Sequence, residues 1–225
     1  MTYQAQPLPS KIDYAISGMP EPIGDGDFST SGMTAIMRGV DPESDLEWAT
    51  NAPREEQDNG SSILVWPSGA LFNPFSPDPE LIHIEDIALA LSNVCRYAGH
   101  ISPFYSVAQH SVIVAGFFSD PATRLAALLH DAEEAYLGDM PSPYKVRYPG
   151  FVEDGKELRR AIYLKFGVDN DLYHKVKPVD NEVYHRERLS LFGGKIDSRQ
   201  RIVPLMPRQA EALFLKEFHS LTEPQ

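Results

Sequence analysis

Cysteine is nearly absent from this sequence, which contains only Cys95. A single cysteine cannot form a disulfide within the chain, so a small disulfide-stabilised secreted fold is excluded and a reducing compartment is favoured. The first ten residues are polar and include two prolines. They lack the basic start and the apolar stretch of a secretory signal peptide. The sequence therefore predicts a cytoplasmic protein.

Long apolar runs and an excess of positive charge are absent as well. No eighteen consecutive residues are apolar, so no membrane-spanning segment is predicted. The chain has 20 Lys and Arg against 32 Asp and Glu, a formal net charge of −12. Such an acidic surface repels a nucleic-acid backbone. Membrane and nucleic acid are therefore not predicted as partners. A small phosphorylated ligand is still compatible, because a bound metal and a few basic side chains can offset its charge.

The N-terminal third differs in composition from the rest. Residues 1–60 are rich in Gly, Pro, Ser and acidic residues and contain only brief apolar stretches, and residues 51–62 are polar without a helical period. Two short apolar runs follow, 63–66 and 70–72, separated by Pro, Ser and Gly; this pattern predicts a small β-hairpin. We therefore expect a mostly irregular extension over residues 1–80, with a hairpin at 63–72, followed by a helical domain over 81–225.

Helical periodicity dominates from residue 84 onward, because apolar residues recur with the i, i+3, i+4, i+7 spacing of amphipathic helices. The predicted helices cover 84–95, a segment beginning near residue 106, 121–137 after Asp120 as N-cap, 152–166, a segment around 176–183 that contains Pro178, and a last helix after Pro207. Several helices joined by short connections predict an all-α fold with a helical bundle as its core.

Three of these helices carry a polar residue where an apolar one is expected. The adjacent pair His130 and Asp131 follows an apolar helical run, and a buried carboxylate without a partner is costly. His110 lies on the apolar stripe of the second helix, and Asp180 on that of the fifth. Facing helices of a bundle commonly build a metal site in this way. The spacing therefore predicts a metal centre.

Glu134 follows His130 by four residues and would lie over the same face of a continuous helix. That position suits contact with an attacking water rather than with the ion itself. Glu133, one step round the helix, is predicted to be solvated. The histidines at 83, 174, 185 and 219 have no spacing that connects them with the cluster and are predicted to be surface residues.

Structural alternatives apply to each candidate. Asp131 could pair with a Lys or Arg at an ordinary helix end, and His110 could be a satisfied core histidine. Asp169 and Asp171 lie close to Asp180 and could cap the same helix, but Asp180 alone falls on the inward stripe. Arg96 could pair with Glu85 or another surface acid. The aromatic residues at 66, 97, 104 and 105 are typical of core packing, although one of them could contact a nucleobase.

A longer string around these residues resembles the HD-domain phosphohydrolases. It comprises residues 95–100 (CRYAGH), 105–111 (YSVAQHS) and 129–143 (LHDAEEAYLGDMPSP). The order of His110, His130 with Asp131, and Asp180 resembles the H…HD…D signature of that family. The chain is similar to its small members, which include bacterial 5′-deoxynucleotidases and phage dATP triphosphohydrolases. The resemblance covers about residues 84–189 and is weaker from residue 63; the preceding segment has no match.

The resemblance implies a role for each matching residue. One divalent metal, Co, Mn, Zn, Fe or Mg, would be held by His110, His130, Asp131 and Asp180. Glu134 would orient or deprotonate the attacking water, and Asp139 would be a second acidic residue needed for turnover. The substrate phosphate would bind Arg96, with Lys145 as a second positive contact. Tyr97 and His100, for which the resemblance supplies no counterpart, are further candidates for the pocket lining. Two imidazoles and two carboxylates suit such metals and leave coordination positions open, as catalysis requires.

The function implied is metal-dependent hydrolysis of (deoxy)nucleotides by a homo-oligomer. Two substrates compete: a 5′-nucleotidase releases phosphate from a monophosphate, and a triphosphohydrolase releases triphosphate from a dNTP. The unmatched N-terminal segment slightly favours a specialised role, such as a phage enzyme that depletes one dNTP. One alternative is a non-catalytic, metal- or nucleotide-binding regulatory module, which the presence of Glu134 and Asp139 disfavours. Another is a helical interaction protein in which the polar cluster is incidental.

Overall fold

The structure is a computed structural model that describes residues 60–223. Residues 1–59 of the extension predicted over 1–80 lie outside the described residues. The predicted boundary between residues 80 and 81 stays a prediction.

Helices make up most of the described chain, with a single hairpin before them. The strands are β1 (Ile63–Leu64) and β2 (Leu71–Phe72), which pair antiparallel with Ile63 opposite Phe72. The helices are α1 (Ile84–Asn93), α2 (Val107–Ala115), α3 (Pro121–Leu128), α4 (Glu134–Leu137), α5 (Ser142–Arg147), α6 (Pro149–Lys165), α7 (Tyr173–Leu191) and α8 (Pro207–Thr222). This confirms the predicted all-α fold and its short hairpin. No helix among residues 60–223 is long and apolar enough to cross a membrane.

Capping residues fix where the site-bearing helices begin. The Ser106 side chain accepts a hydrogen bond from the backbone N–H of Gln109 at the start of α2. Asp120 does the same for Thr123 at the start of α3, where Pro121 occupies the first turn. Both caps set the register of a helix that leads to a predicted metal ligand.

Helix α2 lies at the centre of the bundle and packs against α1, α3, α7 and α8. Nearly all of its side chains are buried, including His110. The core around it also contains several large side chains with no significant exposure: Phe72, Ile87, Leu91, Leu128, Leu158, Ile162 and Phe214. A histidine on so buried a helix needs polar partners inside the core.

The hairpin belongs to this core. Phe72 is fully buried, and its ring lies 4.4 Å from that of Tyr136. Ser68 donates from its backbone N–H and from its hydroxyl to the Asp86 carboxylate on α1, at 2.8 and 2.6 Å. The turn of the hairpin is thereby attached to α1.

The helix predicted over 121–137 is interrupted. The prediction of one continuous helix was therefore wrong. Helix α3 ends at Leu128 and α4 begins at Glu134. His130 Nδ1 donates to the Ala127 carbonyl at 2.7 Å, the acceptor that a continuing α-helix would pair with the N–H of Asp131. The chain continues through tighter i→i+3 turns, such as Glu134 N–H to the Asp131 carbonyl. The histidine side chain therefore replaces a helical hydrogen bond.

Candidate metal centre

The four predicted ligands meet inside the bundle. His110 comes from α2, His130 and Asp131 from the turn after α3, and Asp180 from α7; one ligand atom of each lies within 4.8 Å of the others. The two Nε2 atoms are 3.3 Å apart. Asp131 Oδ2 lies 3.2 Å from His130 Nε2, and Asp180 Oδ1 lies 3.1 Å from His110 Nε2. This buried cluster could hold a metal ion.

Hydrogen bonds on the far side of each imidazole fix which nitrogen faces the cluster. His110 Nδ1 lies 2.6 Å from Glu187 Oε1, and His130 Nδ1 lies 2.7 Å from the Ala127 carbonyl oxygen. Because both partners are acceptors, both Nδ1 atoms carry the proton. In a neutral ring the Nε2 atom then offers a lone pair. When both rings are neutral, two lone-pair nitrogens and two carboxylate oxygens converge without a hydrogen-bond donor among them.

The electrostatics of the cluster are those of a site that needs positive charge. Burial lowers the pKa of His130, but the neighbouring Asp131 and Asp180 raise it well above its ordinary value. Burial raises the pKa values of Asp131 and Asp180, yet the two histidines lower both below their usual range. A divalent cation would satisfy all four acceptors at once, so the residues present fit a metal.

Glu187 is the central residue that the sequence did not single out. Its carboxylate is fully buried and accepts from His110 Nδ1, from Tyr105 Oη at 2.8 Å, from Tyr97 Oη at 2.8 Å, and from two Arg96 nitrogens at 3.1 and 3.2 Å. Burial raises its pKa, but His110 and Arg96 lower it to about 2 overall. An ionised carboxylate therefore connects the cluster histidine to the arginine.

A sequence signal for Glu187 existed. Val176, Asp180, Val183 and Glu187 follow one another at intervals of four, three and four residues, so they share one face of α7, and all four are buried. A carboxylate that continues an inward stripe two turns after a predicted ligand indicates a residue behind the metal site.

Glu134 lies beside the cluster with one carboxylate oxygen unused. The residue is only 5% exposed. Its Oε1 accepts from Lys145 Nζ at 3.2 Å, while its buried Oε2 has no hydrogen-bond partner among residues 60–223. Burial and then the charges of Asp131 and Asp139 raise its pKa well above the ordinary value. Burial likewise raises the pKa of Asp139. Glu134 is therefore a buried carboxyl group with one oxygen that lacks a hydrogen-bond partner in the described part of the chain.

Arg96 also reaches the cluster. It pairs with Glu187 and not with Glu85, the partner named in the structural alternative. The guanidinium holds Glu187 through Nε and Nη2, and its Nη1 lies 3.8 Å from Asp131 Oδ2. The backbone after it is left-handed at Tyr97 (φ 60°) and Ala98 (φ 51°), a conformation that costs free energy in non-glycine residues. This turn directs Arg96 into the protein.

The other predicted pocket residues lie in different surroundings. The Tyr97 hydroxyl donates to Glu187, and its ring packs against Tyr184 and Phe192, with centroids 6.2 and 5.0 Å away. His100 is exposed. The histidines at 83, 174, 185 and 219 are exposed as predicted. The structure therefore places Tyr97 against α7 and leaves His100 at the surface.

A cavity of about 170 Å³ adjoins the cluster, and its lining includes Asp131, Glu134 and Lys145. Glu133, predicted to be solvated, instead lies in this lining with a side chain only 13% exposed. It accepts from Arg159 Nη1 at 2.9 Å. The prediction was wrong because its partner lies 26 residues further along the chain, on α6.

Comparison with known proteins finds relatives in two bacteria. No protein-family model matches the chain. Over 153 residues the chain is 35% identical to the uncharacterized protein YfdR of Escherichia coli, a match that covers 63% of this chain and 85% of YfdR. Over 110 residues it is 43% identical to the uncharacterized protein RCAP_rcc00048 of Rhodobacter capsulatus. That second match covers 45% of this chain and 56% of the relative.

Proposed function

We propose that this chain, which belongs to the same family as the Escherichia coli protein YfdR, is a metal-dependent phosphohydrolase of the HD-domain type that acts on small (deoxy)nucleotides. The observation that carries this proposal is the convergence of four acceptors, three of them on buried residues, next to a carboxylate with an unpartnered oxygen. A closed structural metal site has no use for such a neighbouring base, whereas a hydrolytic site needs one.

The four ligands would hold one divalent ion of the Co, Mn, Zn, Fe or Mg group. When bound, such an ion lowers the pKa of water and offsets negative charge on a phosphoryl oxygen. Nitrogen and oxygen ligands, with no thiolate among them, suit these ions.

The chain's own residues would carry the proton and the phosphate. Glu134 accepts a proton from water as the water oxygen adds to phosphorus. The bond from phosphorus to the leaving oxygen breaks, and that oxygen takes up a proton. A well-placed general base contributes roughly 10² to 10⁴ in rate. Arg96 uses Nε and Nη2 for Glu187, so its Nη1, directed towards Asp131, is left to bind a phosphoryl oxygen.

One experiment tests the proposal. The full chain, loaded in turn with Mn²⁺, Co²⁺ and Zn²⁺, is incubated with each dNMP and each dNTP, and ion chromatography identifies phosphate, pyrophosphate or triphosphate. We expect metal-dependent release of one of these products. A chain that binds metal but releases none of them would instead be a non-catalytic module.

The role of Glu134 has its own test. In Glu134→Gln we expect metal binding to remain and the hydrolysis rate to fall by roughly 10²- to 10⁴-fold, because the amide cannot accept the proton. The matched control is Glu157→Gln, the same change at an exposed position of α6, for which we expect the wild-type rate. A Glu134→Gln variant as fast as wild type would remove the general base from the proposal.

A further inference from the structure

Basic side chains are concentrated in the cavity beside the metal cluster. Its lining contains Lys145, Lys156, Arg159 and Lys177, against the carboxylates of Asp131, Glu133 and Glu134. The chain as a whole has far more acidic than basic residues, 32 against 20. The lining therefore holds four cations against three carboxylates, a higher proportion of basic residues than in the whole chain, at a place that adjoins the proposed reaction centre.

Two of these lysines keep donors available after pairing with the site. Lys145 Nζ donates to Glu134 at 3.2 Å, and Lys177 Nζ donates to Asp180 at 2.5 Å. An ammonium group has three N–H donors, so each lysine retains two. Their side chains are 40% and 50% exposed, which leaves the ammonium groups accessible to a ligand.

Arg159 supplies a donor that the protein itself does not satisfy. The residue is 8% exposed, its guanidinium carbon lies 3.8 Å from the Tyr173 ring centroid, and its Nη1 donates to Glu133. Its buried Nε has no hydrogen-bond partner in the described part of the chain. Leaving a buried charged donor unpaired costs free energy, and an anionic oxygen in the cavity would recover it.

The size of the cavity indicates which part of a nucleotide it takes. Pockets for whole small-molecule ligands span roughly 300–1,000 Å³, whereas this cavity has about 170 Å³. It therefore has room for part of a nucleotide only. The face of Tyr173, an aromatic surface that could stack on a base, is covered by Arg159. A chain of phosphates matches both the volume and the cations.

We infer, building on the proposed phosphohydrolase function, that this cavity binds the phosphates beyond the reacting phosphoryl group. The substrate class is then the nucleoside triphosphates rather than the monophosphates, with the nucleoside lying outside the cavity. Lys156 and Arg159 on α6, together with Lys177 on α7, are the residues that distinguish a long phosphate chain from a single phosphate.

The test compares two inorganic probes on the metal-loaded full chain after removal of excess metal. Calorimetry measures the affinities of tripolyphosphate and orthophosphate for wild type, Lys156→Met and the control Lys216→Met. Lys156 pairs with the exposed Glu153 at 2.7 Å and not with a cluster residue, so its loss leaves the metal centre intact. Lys216 is exposed on α8, and its substitution changes the net charge equally.

We expect tripolyphosphate to bind at least about tenfold more tightly than orthophosphate. Lys156→Met should weaken the binding of tripolyphosphate about tenfold and that of orthophosphate less than about twofold. The reason is that the lost charge-assisted hydrogen bond reaches only the part of the phosphate chain away from the metal. Lys216→Met should change neither. The inference is overturned if Lys156→Met has no greater effect than Lys216→Met, or if it weakens both probes equally.

A further arm separates a nucleotide from a free polyphosphate as the ligand. In metal-loaded Glu134→Gln, which slows turnover, dATP should displace tripolyphosphate and bind more tightly than it. Failure of dATP to displace tripolyphosphate would overturn the inference. Hydrolysis of monophosphates alone, with a silent Lys156→Met, would refute this inference and leave the proposed function standing. If the probes bind with the expected affinities but the chain hydrolyses nothing, the proposed function is refuted and the phosphate-binding cavity stands.

Discussion

The Glu187 carboxylate connects two parts of the candidate site that act on different atoms. Through Oε1 it holds His110 with Nδ1 protonated, which leaves Nε2 for the cluster, and through Oε2 it holds Arg96. Buried partners of this kind orient metal-ligating histidines and increase their basicity. They also keep a buried arginine paired. One side chain thus orients both a predicted metal ligand and the residue proposed to bind phosphate.

We predict that Glu187→Gln weakens divalent-metal binding by roughly 10- to 100-fold. The amide can still accept from His110, but the negative charge that strengthens the imidazole and offsets Arg96 is removed. Isothermal titration with Mn²⁺, well below the unfolding temperature, measures the effect.

The matched control for this change is Tyr105→Phe, which removes a hydrogen bond to the same Glu187 oxygen and leaves the bond to His110. Its metal affinity should lie within about threefold of wild type, which is a change of less than about 1 kcal/mol in binding free energy. The lost hydrogen bond from Tyr105 leaves no charge unpaired, so its effect should be small. Equal losses of metal affinity in both variants would mean that Glu187 acts only through general stability.

At the scale of elements, the candidate site depends on where helices stop and start. Helix α3 had to end at Leu128 for His130 to turn its Nδ1 towards the Ala127 carbonyl. Apolar periodicity predicted a helix through Leu137, because the pattern continues across the break. The competing hydrogen bond of one side chain is not visible in periodicity, and for that reason the interruption could not be predicted.

The N-cap of α3 gives a prediction about pH. Hydrogen bonds from the Thr123 hydroxyl and then from its backbone N–H lower the pKa of Asp120. A carboxyl group whose folded pKa is lowered stabilises the protein above its unfolded pKa, about 3.9, and loses that contribution as the pH falls through the folded value. Asp120→Ala should therefore lower the melting temperature at about pH 7, and the deficit should shrink towards about pH 3.

Asp120→Asn is the control for this change, because an asparagine caps a helix without titrating. Melting curves by far-UV circular dichroism over that pH range compare wild type with the two variants. We expect the difference in melting temperature between Asp120→Asn and Asp120→Ala to stay constant with pH. A wild-type advantage over Asp120→Ala that is equally large at the acidic end would contradict the assigned pKa direction.

At the scale of the whole molecule, the sequence predicted what depends on local pattern and missed what depends on distant partners. The predicted ligands His110, His130, Asp131 and Asp180 could be found because each interrupts an apolar stripe or follows one. Glu133 was placed wrongly because Arg159, its partner, comes from another helix. The cations of the cavity likewise meet only once α6 and α7 have packed.

Metal binding should stabilise the entire fold, because the four acceptors come from separate parts of the bundle and cannot converge in the unfolded chain. A free-ion concentration of about 100 times Kd adds about 2.7 kcal/mol. For a protein of this size each kcal/mol raises the melting temperature by about 2–4 °C. We therefore predict that chelation lowers the melting temperature by about 5–11 °C, with recovery on adding Mn²⁺ or Co²⁺.

Two histidine variants serve as controls for this shift. His130→Ala removes a ligand and should abolish the dependence of the melting temperature on metal. His219→Ala removes an exposed histidine of α8 and should preserve it. A shift that persists in His130→Ala would show that the ion binds somewhere other than the cluster.

The most direct measurement is anomalous X-ray scattering from a crystal of the full chain grown with Zn²⁺ or Co²⁺. The predicted result is one strong peak inside the bundle, about 2.0–2.2 Å from the Nε2 atoms of His110 and His130 and from one oxygen each of Asp131 and Asp180. No peak among these four side chains, with the ion bound only at surface residues, would contradict the metal centre on which the proposed chemistry depends.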